Sequence, residues 1–126
     1  MRLADTSAWI EFLTGSALSS TLVPEPPDRA EWLVPTTVQL ELVKWLTREV
    51  GEDKADRVIA FTETCVVADL DTANALLAAD LSAKHRLATA DAIIYATALA
   101  FGGDLLTCDR HFESLANVRF ILKSGQ

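Results

Sequence analysis

The sequence predicts an α/β protein whose parallel sheet carries helices on both faces. Short apolar runs, which predict buried strands, alternate with longer segments in which apolar residues recur at helical spacing. This alternation is typical of a parallel sheet, because each crossover between parallel strands is usually a helix. Acidic residues follow some of the strands, at the edge where α/β folds place their sites. We therefore expect a functional site at that edge.

Length and charge narrow the class of protein. A chain of 126 residues is long enough for one domain with a buried core, which we take to span residues 1–126. Its formal net charge of −7 argues against nonspecific binding to duplex DNA, which depends on phosphate neutralisation by Lys and Arg. That charge is compatible with a nuclease whose acids are neutralised locally by a metal ion.

The sequence offers no membrane segment or leader. No apolar stretch is long enough to span a bilayer, and Asp5 and Glu11 interrupt the region where a signal peptide would need an apolar core. Cys65 and Cys108 have neither a CxxC nor a zinc-site spacing. We expect a cytoplasmic protein without membrane contacts.

Capping residues, glycines and prolines set the limits of the predicted elements. Thr36 and Gln39 have the spacing of a capping box, and Asp71 is a favourable N-cap. Residues 15–35 are the least regular part, because prolines cluster over residues 24–27. The elements are, in order, strand 2–4, helix 6–14, short helix 16–23, helical turn 28–32, strand 33–34, helix 36–50, helix 52–64, strand 66–68, helix 72–86, helix 90–101, strand 105–107, short helix 111–115 and strand 118–122.

Two acids follow predicted strands and precede helices. Asp5 ends the first strand, and Asp109 stands in the same relation to the strand that contains Thr107. Each could simply be an N-cap, since Asp is favoured there. Two acids at the same edge of one sheet are less easily explained by capping alone, and the Thr107 hydroxyl would lie beside them.

Two further acids lie on predicted helices. Glu41 shares a polar stripe with Lys44 and Arg48, and periodicity alone favours a solvated face with a weak Glu41–Lys44 pair. The alternative is that Glu41 points to the site and the two bases are available to phosphate. Asp91 suits the macrodipole of the most apolar helix of the chain. A helix that is apolar nearly all round is buried, however, so this charge needs a partner.

If the four acids converge, they require a cation or protonation. Like charges about 5 Å apart at an effective dielectric near 20 repel by roughly 3 kcal/mol per pair. A domain stable by only about 5–15 kcal/mol could not carry several such pairs uncompensated. Oxygen ligands without His or Cys favour Mg²⁺ or Mn²⁺ over zinc.

Four motifs follow one another along the chain: Asp5-Thr6-Ser7, Leu40-Glu41-Leu42, Thr89-Ala90-Asp91-Ala92, and Leu106-Thr107-Cys108-Asp109 with Phe112. In this order they resemble the motifs of the PIN-domain ribonucleases. Over residues 1–122 the chain is similar to the VapC-type toxins of VapBC toxin–antitoxin pairs. The resemblance implies a three-layer α/β/α domain with a five-stranded parallel sheet in the order 3-2-1-4-5, and Mg²⁺- or Mn²⁺-dependent cleavage of single-stranded RNA.

The resemblance also implies roles and partners. The catalytic acids are then Asp5, Glu41, Asp91 and Asp109, of which Asp5, Asp91 and Asp109 are the metal ligands, with Thr107 in support. The implied partners are a second copy of the chain and a cognate VapB-type antitoxin whose tail blocks the groove, often with a basic side chain among the acids. The helix that contains Glu41 has apolar surface to spare for a dimer contact. Candidate phosphate contacts are Lys44, Arg48 and Arg110.

Two other classes of function remain open. A PIN-like module could hold metal or a partner without cutting RNA. A receiver-type phosphoacceptor domain also gathers acids at a sheet edge, but no lysine after the last strands has the expected place. A hydrolase triad is unsupported, because neither His85 nor His111 accompanies a recognisable nucleophile motif.

Overall fold

The computed structural model describes residues 1–14 and 28–122. Strands and helices alternate through both ranges. The strands are β1 (Arg2–Ala4), β2 (Trp32–Pro35), β3 (Val66–Ala68), β4 (Asp104–Thr107) and β5 (Val118–Phe120). The helices are α1 (Thr6–Leu13), α2 (Thr36–Glu49), α3 (Glu52–Thr62), α4 (Thr72–His85) and α5 (Thr89–Ala100), with 3-10 turns at Arg29–Glu31 and Arg110–Phe112.

The five strands form one parallel sheet in the order β3-β2-β1-β4-β5. This order confirms the three-layer α/β/α fold and the sheet expected from the resemblance. β1 lies at the centre, where Ala4 is in register with Leu106 of β4. The N–H of Asp5 donates to the carbonyl of Leu106 at 3.0 Å, so β4 fixes the backbone of Asp5 just beyond the strand. The central strand β1 therefore places Asp5 at the carboxyl edge of the sheet.

The core lies between the sheet and the inner faces of the helices. Its fully buried apolar members on the strands are Leu3, Ala4, Leu33, Val34, Leu105 and Leu106, and α2 adds Val38, Leu42 and Leu46 at helical spacing. In α5, Ala92 and the residues from Ile94 to Ala98 are buried. The prediction that this helix is buried nearly all round is confirmed, and Asp91 stands at its first turn.

The predicted capping box of α2 is wrong. Pro35 is the N-cap, with no side-chain cap hydrogen bond, and Thr36 is the first helical residue. The Gln39 amide instead donates to Oγ1 of Thr62 at 3.1 Å, and Thr62 in turn donates to the carbonyl of Ile59. Gln39 thus bonds to Thr62 on the neighbouring helix and not to the start of its own helix. Asp71 does cap α4, by accepting from the N–H of Asn74.

Some predicted elements lie outside the described residues or differ slightly in length. The short helix predicted over residues 16–23 and the proline cluster over residues 24–27 fall in the undescribed range 15–27. The helix predicted over residues 111–115 is a single 3-10 turn from Arg110 to Phe112. Within the two described ranges, no helix is long and apolar enough to cross a membrane.

Candidate active site

The four predicted acids line one cleft at the carboxyl edge of the sheet. The cleft, which we call the acidic cleft, has a volume of about 380 Å³. Asp5 reaches it from the end of β1, Glu41 from α2, Asp91 from α5, and Asp109 from the segment after β4. Among residues 1–14 and 28–122, those that line it are Asp5, Thr6, Ser7, Ile10, Glu11, Glu41, Trp45, Asp91, Ile94 and Asp109.

Asp5 is buried, and three hydrogen bonds hold its carboxylate. Its Oδ1 accepts from the Ser7 hydroxyl at 2.6 Å and from the N–H of Ala8 at 3.0 Å, which caps α1. Its Oδ2 accepts from the Thr107 hydroxyl at 2.5 Å. Asp5 is therefore both the helix cap and a member of the cleft, so the two interpretations of this residue are compatible.

Thr107 links Asp5 to Asp109. It is fully buried at the end of β4, and its Oγ1 also accepts from the N–H of Asp109 at 2.9 Å. The Ser7 hydroxyl accepts from the N–H of Cys108 at 2.9 Å, which fastens α1 to the same segment. One hydroxyl network thus sets the relative positions of two carboxylates that are more than a hundred residues apart in sequence.

Glu41 borders the cleft and is not part of a solvated stripe with Lys44. Its Oε1 accepts from the Thr6 hydroxyl at 2.8 Å, so the carboxylate is drawn towards the start of α1. Lys44 and Arg48 are exposed, and Arg48 pairs with the neighbouring Glu49 at 2.8 Å. Of the three residues in the predicted polar stripe, Glu41 lines the cleft, whereas Lys44 and Arg48 face solvent.

Asp91 and Asp109 come close together beside His111. A carboxylate oxygen from each and one ring nitrogen of His111 all lie within 4.8 Å of one another. Asp109 also caps the 3-10 turn by accepting from the N–H of His111 at 2.9 Å. Asp5 is not a member of this closest group, although it lines the same cleft.

The electrostatics of the cleft agree with convergence of the acids. Burial raises the pKa of Asp91 above its ordinary value, and the carboxylates of Asp109, Asp5 and Glu41 raise it further, while His111 lowers it. Burial also raises the pKa of Asp5, hydrogen bonds from Ser7, Thr107 and Ala8 oppose that shift, and Asp109 adds to it. Because neighbouring carboxylates make the ionisation of Asp5 and Asp91 more costly, the cleft favours a cation.

The residues fit a divalent cation in charge and in donor type. Carboxylate oxygens are the donors that Mg²⁺ and Mn²⁺ prefer, and two of them lie within coordination reach of each other at Asp91 and Asp109. The Thr107 hydroxyl orients the Asp5 carboxylate, as outer partners do in metal sites, and it also fixes the backbone of Asp109. The cleft can therefore concentrate a small hard cation.

Sequence reasoning assigned no role in the site to Thr6, Ser7, Glu11 or His111, although Thr6 and Ser7 belong to the first motif. Thr6 and Ser7 follow Asp5 directly, and a pair of hydroxyl residues after a strand-ending acid is a signal that could have identified them. Buried Glu11 is a fifth acid in the lining, one helical turn beyond Ser7. His111 stands two residues after Asp109, a spacing at which a capping acid and the following side chain can meet.

The three candidate phosphate contacts do not line the acidic cleft, as far as the described residues define it. Arg110 lies over the ring of Phe120, with 5.3 Å between its Cζ atom and the ring centroid, and its Nη1 atom is 3.4 Å from the carboxylate of Glu113. Lys44 and Arg48 are exposed on α2. Their contact with RNA stays a prediction.

A family model described as PIN domain matches residues 2–118. No curated protein matches the chain. A solved toxin–antitoxin complex from Klebsiella pneumoniae is similar in fold, with a TM-score of 0.82 and 19% identity over 94% of this chain and 96% of that one.

Two further solved structures have the same fold. VapC20 of Mycobacterium tuberculosis, described as a sarcin-ricin loop cleaving toxin, has a TM-score of 0.76 and 20% identity over 94% of this chain and 97% of its own. A DNA-bound VapBC structure from Salmonella typhimurium has a TM-score of 0.71 and 17% identity, covering 95% of this chain and 96% of that one.

Proposed function

The chain belongs to the PIN domain family, and from this premise we propose that it is a metal-dependent endoribonuclease of the VapC toxin type. Its substrate is a single-stranded region of RNA, and a cognate antitoxin neutralises it in the cytoplasm. Residues 1–126 act as one PIN domain. The observation that supports this most is the convergence of Asp5, Glu41, Asp91 and Asp109 on one cleft. The likeness to structures described as VapBC complexes points the same way.

We assign the metal-binding role to Asp5, Asp91 and Asp109. Asp91 and Asp109 already have oxygens within 4.8 Å of each other, and Asp5 faces them from the end of β1. A Mg²⁺ ion, with Mn²⁺ as a substitute, supplies Lewis-acid activation of water and phosphate when it is bound. The Thr107 hydroxyl holds the Asp5 carboxylate and fixes the backbone of Asp109, so both residues are positioned without the ion.

Glu41 and Asp109 are the candidates for orienting the attacking water and accepting its proton. Glu41 is held by Thr6 at one wall of the cleft, and Asp109 lies at the other wall with its side chain partly exposed. A base in either position acts if it lies within hydrogen-bond reach of the water in the bound complex. We also propose that Lys44, Arg48 and Arg110 contact phosphate groups of the RNA substrate.

The proposed partners follow from charge and exposed apolar area. An acidic cleft in a chain of net charge −7 is complementary to a basic side chain of an antitoxin tail. Leu40 and Val43, which lie on α2 like Glu41, are 64% and 39% exposed. We propose that this surface forms the contact of a homodimer.

An RNA cleavage assay with matched variants tests the proposed activity. Pure protein is incubated with structured and unstructured RNAs in Mg²⁺, Mn²⁺ or EDTA, alongside Asp5→Asn and Asp80→Asn. Asp80 is exposed on α4, so its substitution changes the charge without touching the cleft. We expect metal-dependent cleavage by the wild type and Asp80→Asn and none by Asp5→Asn. Absent cleavage would support a PIN-like binding module instead, and metal-independent cleavage would contradict the proposed metal centre.

Growth after induction provides the cellular counterpart. Expression of the wild-type chain should arrest growth, and Asp5→Asn or Asp91→Asn should relieve the arrest while the protein still folds. Unchanged toxicity in either variant would contradict the site assignment. Mapping the cut sites in cellular RNA after induction would identify the target.

A further inference from the structure

His111 lies at the acidic cleft, and the proposed chemistry leaves it without a role. Its Nδ1 is 3.0 Å from Oδ1 of Asp109 and 3.9 Å from Oδ2 of Asp91. The ring therefore approaches both carboxylates that form the tightest group in the described residues. A nitrogen placed among carboxylate oxygens changes the kind of metal that the group prefers.

The backbone places this ring. Asp109 caps the 3-10 turn, and its Oδ1 accepts from the N–H of His111 at 2.9 Å. Buried Phe112, the next residue, anchors the turn in the core. The His111 side chain is 77% exposed, so the ring has solvent on its outer side and no core packing to satisfy. Its position beside the acids therefore comes from the cap and not from burial.

The spacing of the three donor atoms is that of ligands around one small cation. With bonds of about 2.1 Å in octahedral geometry, adjacent donors are roughly 3 Å apart and opposite donors roughly 4.2 Å apart. The distance from Nδ1 to Asp109 matches adjacent donors, and the distance to Asp91 falls between the two values. The ring thus lies near Asp91 as well as Asp109, as a ligand shared with both carboxylates requires.

We propose that His111 supplies Nδ1 as a nitrogen ligand to the divalent ion held by Asp91 and Asp109, and that this donor favours Mn²⁺ over Mg²⁺. The inference rests on the metal centre of the proposed function and specifies its donor set. Carboxylate and water ligands suit both ions, whereas Mn²⁺, as a transition metal, accepts an imidazole nitrogen more readily than Mg²⁺ does. The expectation of an all-oxygen site is thereby replaced by one of mixed nitrogen and oxygen.

Pulsed electron paramagnetic resonance of the Mn²⁺-loaded full chain tests the ligand directly. The chain has two histidines, so His85→Gln serves as the matched control for His111→Gln. With histidine labelled with ¹⁵N, we expect a directly bound histidine nitrogen in the wild type and in His85→Gln, and its loss in His111→Gln. Bound Mn²⁺ without this coupling, or a coupling that survives in His111→Gln, would overturn the inference.

A competition titration with Mg²⁺ measures the preference. His111→Gln should lower the ratio of Mn²⁺ affinity to Mg²⁺ affinity by about tenfold or more, the range seen when groups that tune a metal site are removed. An unchanged ratio would overturn the selectivity role. If Mn²⁺ does not bind the wild type, or binds Asp91→Asn equally well, the proposed metal centre fails together with this inference. If Mn²⁺ binds but shows no coupling to a histidine nitrogen, the inference about His111 is wrong and the proposed metal centre is unaffected.

Discussion

The Thr6 hydroxyl donates a hydrogen bond of 2.8 Å to Oε1 of Glu41 and so joins the first turn of α1 to the middle of α2. Thr6 directly follows Asp5, so one short segment fixes the buried acid and also holds the acid on the opposite helix. Glu41 is the member of the acidic cleft for which helical periodicity favoured a different position. This single contact explains why that carboxylate lies in the cleft.

Substituting Thr6 with Val should separate Glu41 from the cleft at little cost in stability. Val has nearly the same shape but cannot donate, so Glu41 loses its orientation while the fold keeps its packing. We expect metal-dependent RNA cleavage to fall by about tenfold, as for other residues that orient a metal site from outside. Thr6→Ser keeps the hydroxyl and should retain most activity. Equal activity in Thr6→Val and the wild type would contradict a positioning role.

Substituting Thr107 with Val should destabilise the protein as well as reduce activity. The Thr107 hydroxyl donates to Asp5 and accepts from the N–H of Asp109, and both groups lose a partner in the variant. Leaving buried polar groups unpaired costs about 1–3 kcal/mol. Chemical denaturation should show this loss in the free energy of unfolding, and Thr107→Ser should recover most of it. A loss that Ser does not recover would indicate a packing defect and not a hydroxyl network.

Substituting Asp91 with Asn should stabilise the metal-free protein at neutral pH. Burial and the neighbouring carboxylates raise the pKa of Asp91 above its ordinary value of 3.8, so its ionisation opposes folding. Below about pH 4 the acid is protonated in both the folded and the unfolded chain, so it does not lower the free energy of unfolding. Above the pKa of Asp91 in the folded chain, the acid is ionised in both states and the destabilisation reaches its full value. At pH 7 we expect Asn to raise the free energy of unfolding by about 1–3 kcal/mol, of the order of one carboxylate pair.

Thermal melts at several pH values in EDTA check the prediction for Asp91. The difference between Asp91→Asn and the wild type should grow as the pH rises from 4 to 7. Added Mn²⁺ should raise the melting temperature of the wild type and not that of the variant, because only a folded chain with a working site gains from the ion. A variant that is less stable than the wild type at pH 7 in EDTA would contradict the account.

Substituting Leu40 with Lys should prevent dimer formation. Leu40 is 64% exposed on α2, on the surface proposed for the homodimer contact, and a buried lysine there would be unpaired. Leu76 on α4 is also 64% exposed, which makes Leu76→Lys a matched control. Light scattering should find a dimer for the wild type and Leu76→Lys and a monomer for Leu40→Lys. A dimer in all three proteins would place the interface elsewhere.

Local patterns in the sequence were enough to predict the sheet and two of the acids. Asp5 and Asp109 each follow a short buried strand and each cap the next helical segment, so the signal for both lies within a few residues. Thr107 could be predicted for the same reason, because it ends the strand that precedes Asp109. The family resemblance gave the strand order, which local patterns alone do not determine.

The remaining features depend on tertiary contacts that a linear pattern does not contain. Gln39 has the spacing of a capping residue but donates to Thr62 on the next helix, so the local signal was misleading. Glu41 joins the cleft only because α1 brings Thr6 to it. The ring of His111 reaches Asp91 because a 3-10 turn replaced the predicted helix after Asp109. Each case is decided by packing of elements that are distant in sequence.

Calorimetric titration of the full chain with Mn²⁺ tests the central claim most directly, namely that the acids form one metal centre. Wild type and the surface control Asp80→Asn should bind Mn²⁺ with the same affinity. Asp5→Asn, Asp91→Asn and Asp109→Asn should each weaken binding by about tenfold or more, because each removes a charged oxygen donor from one site. Equal affinity in all five proteins would show that these carboxylates do not share a metal and would contradict the account.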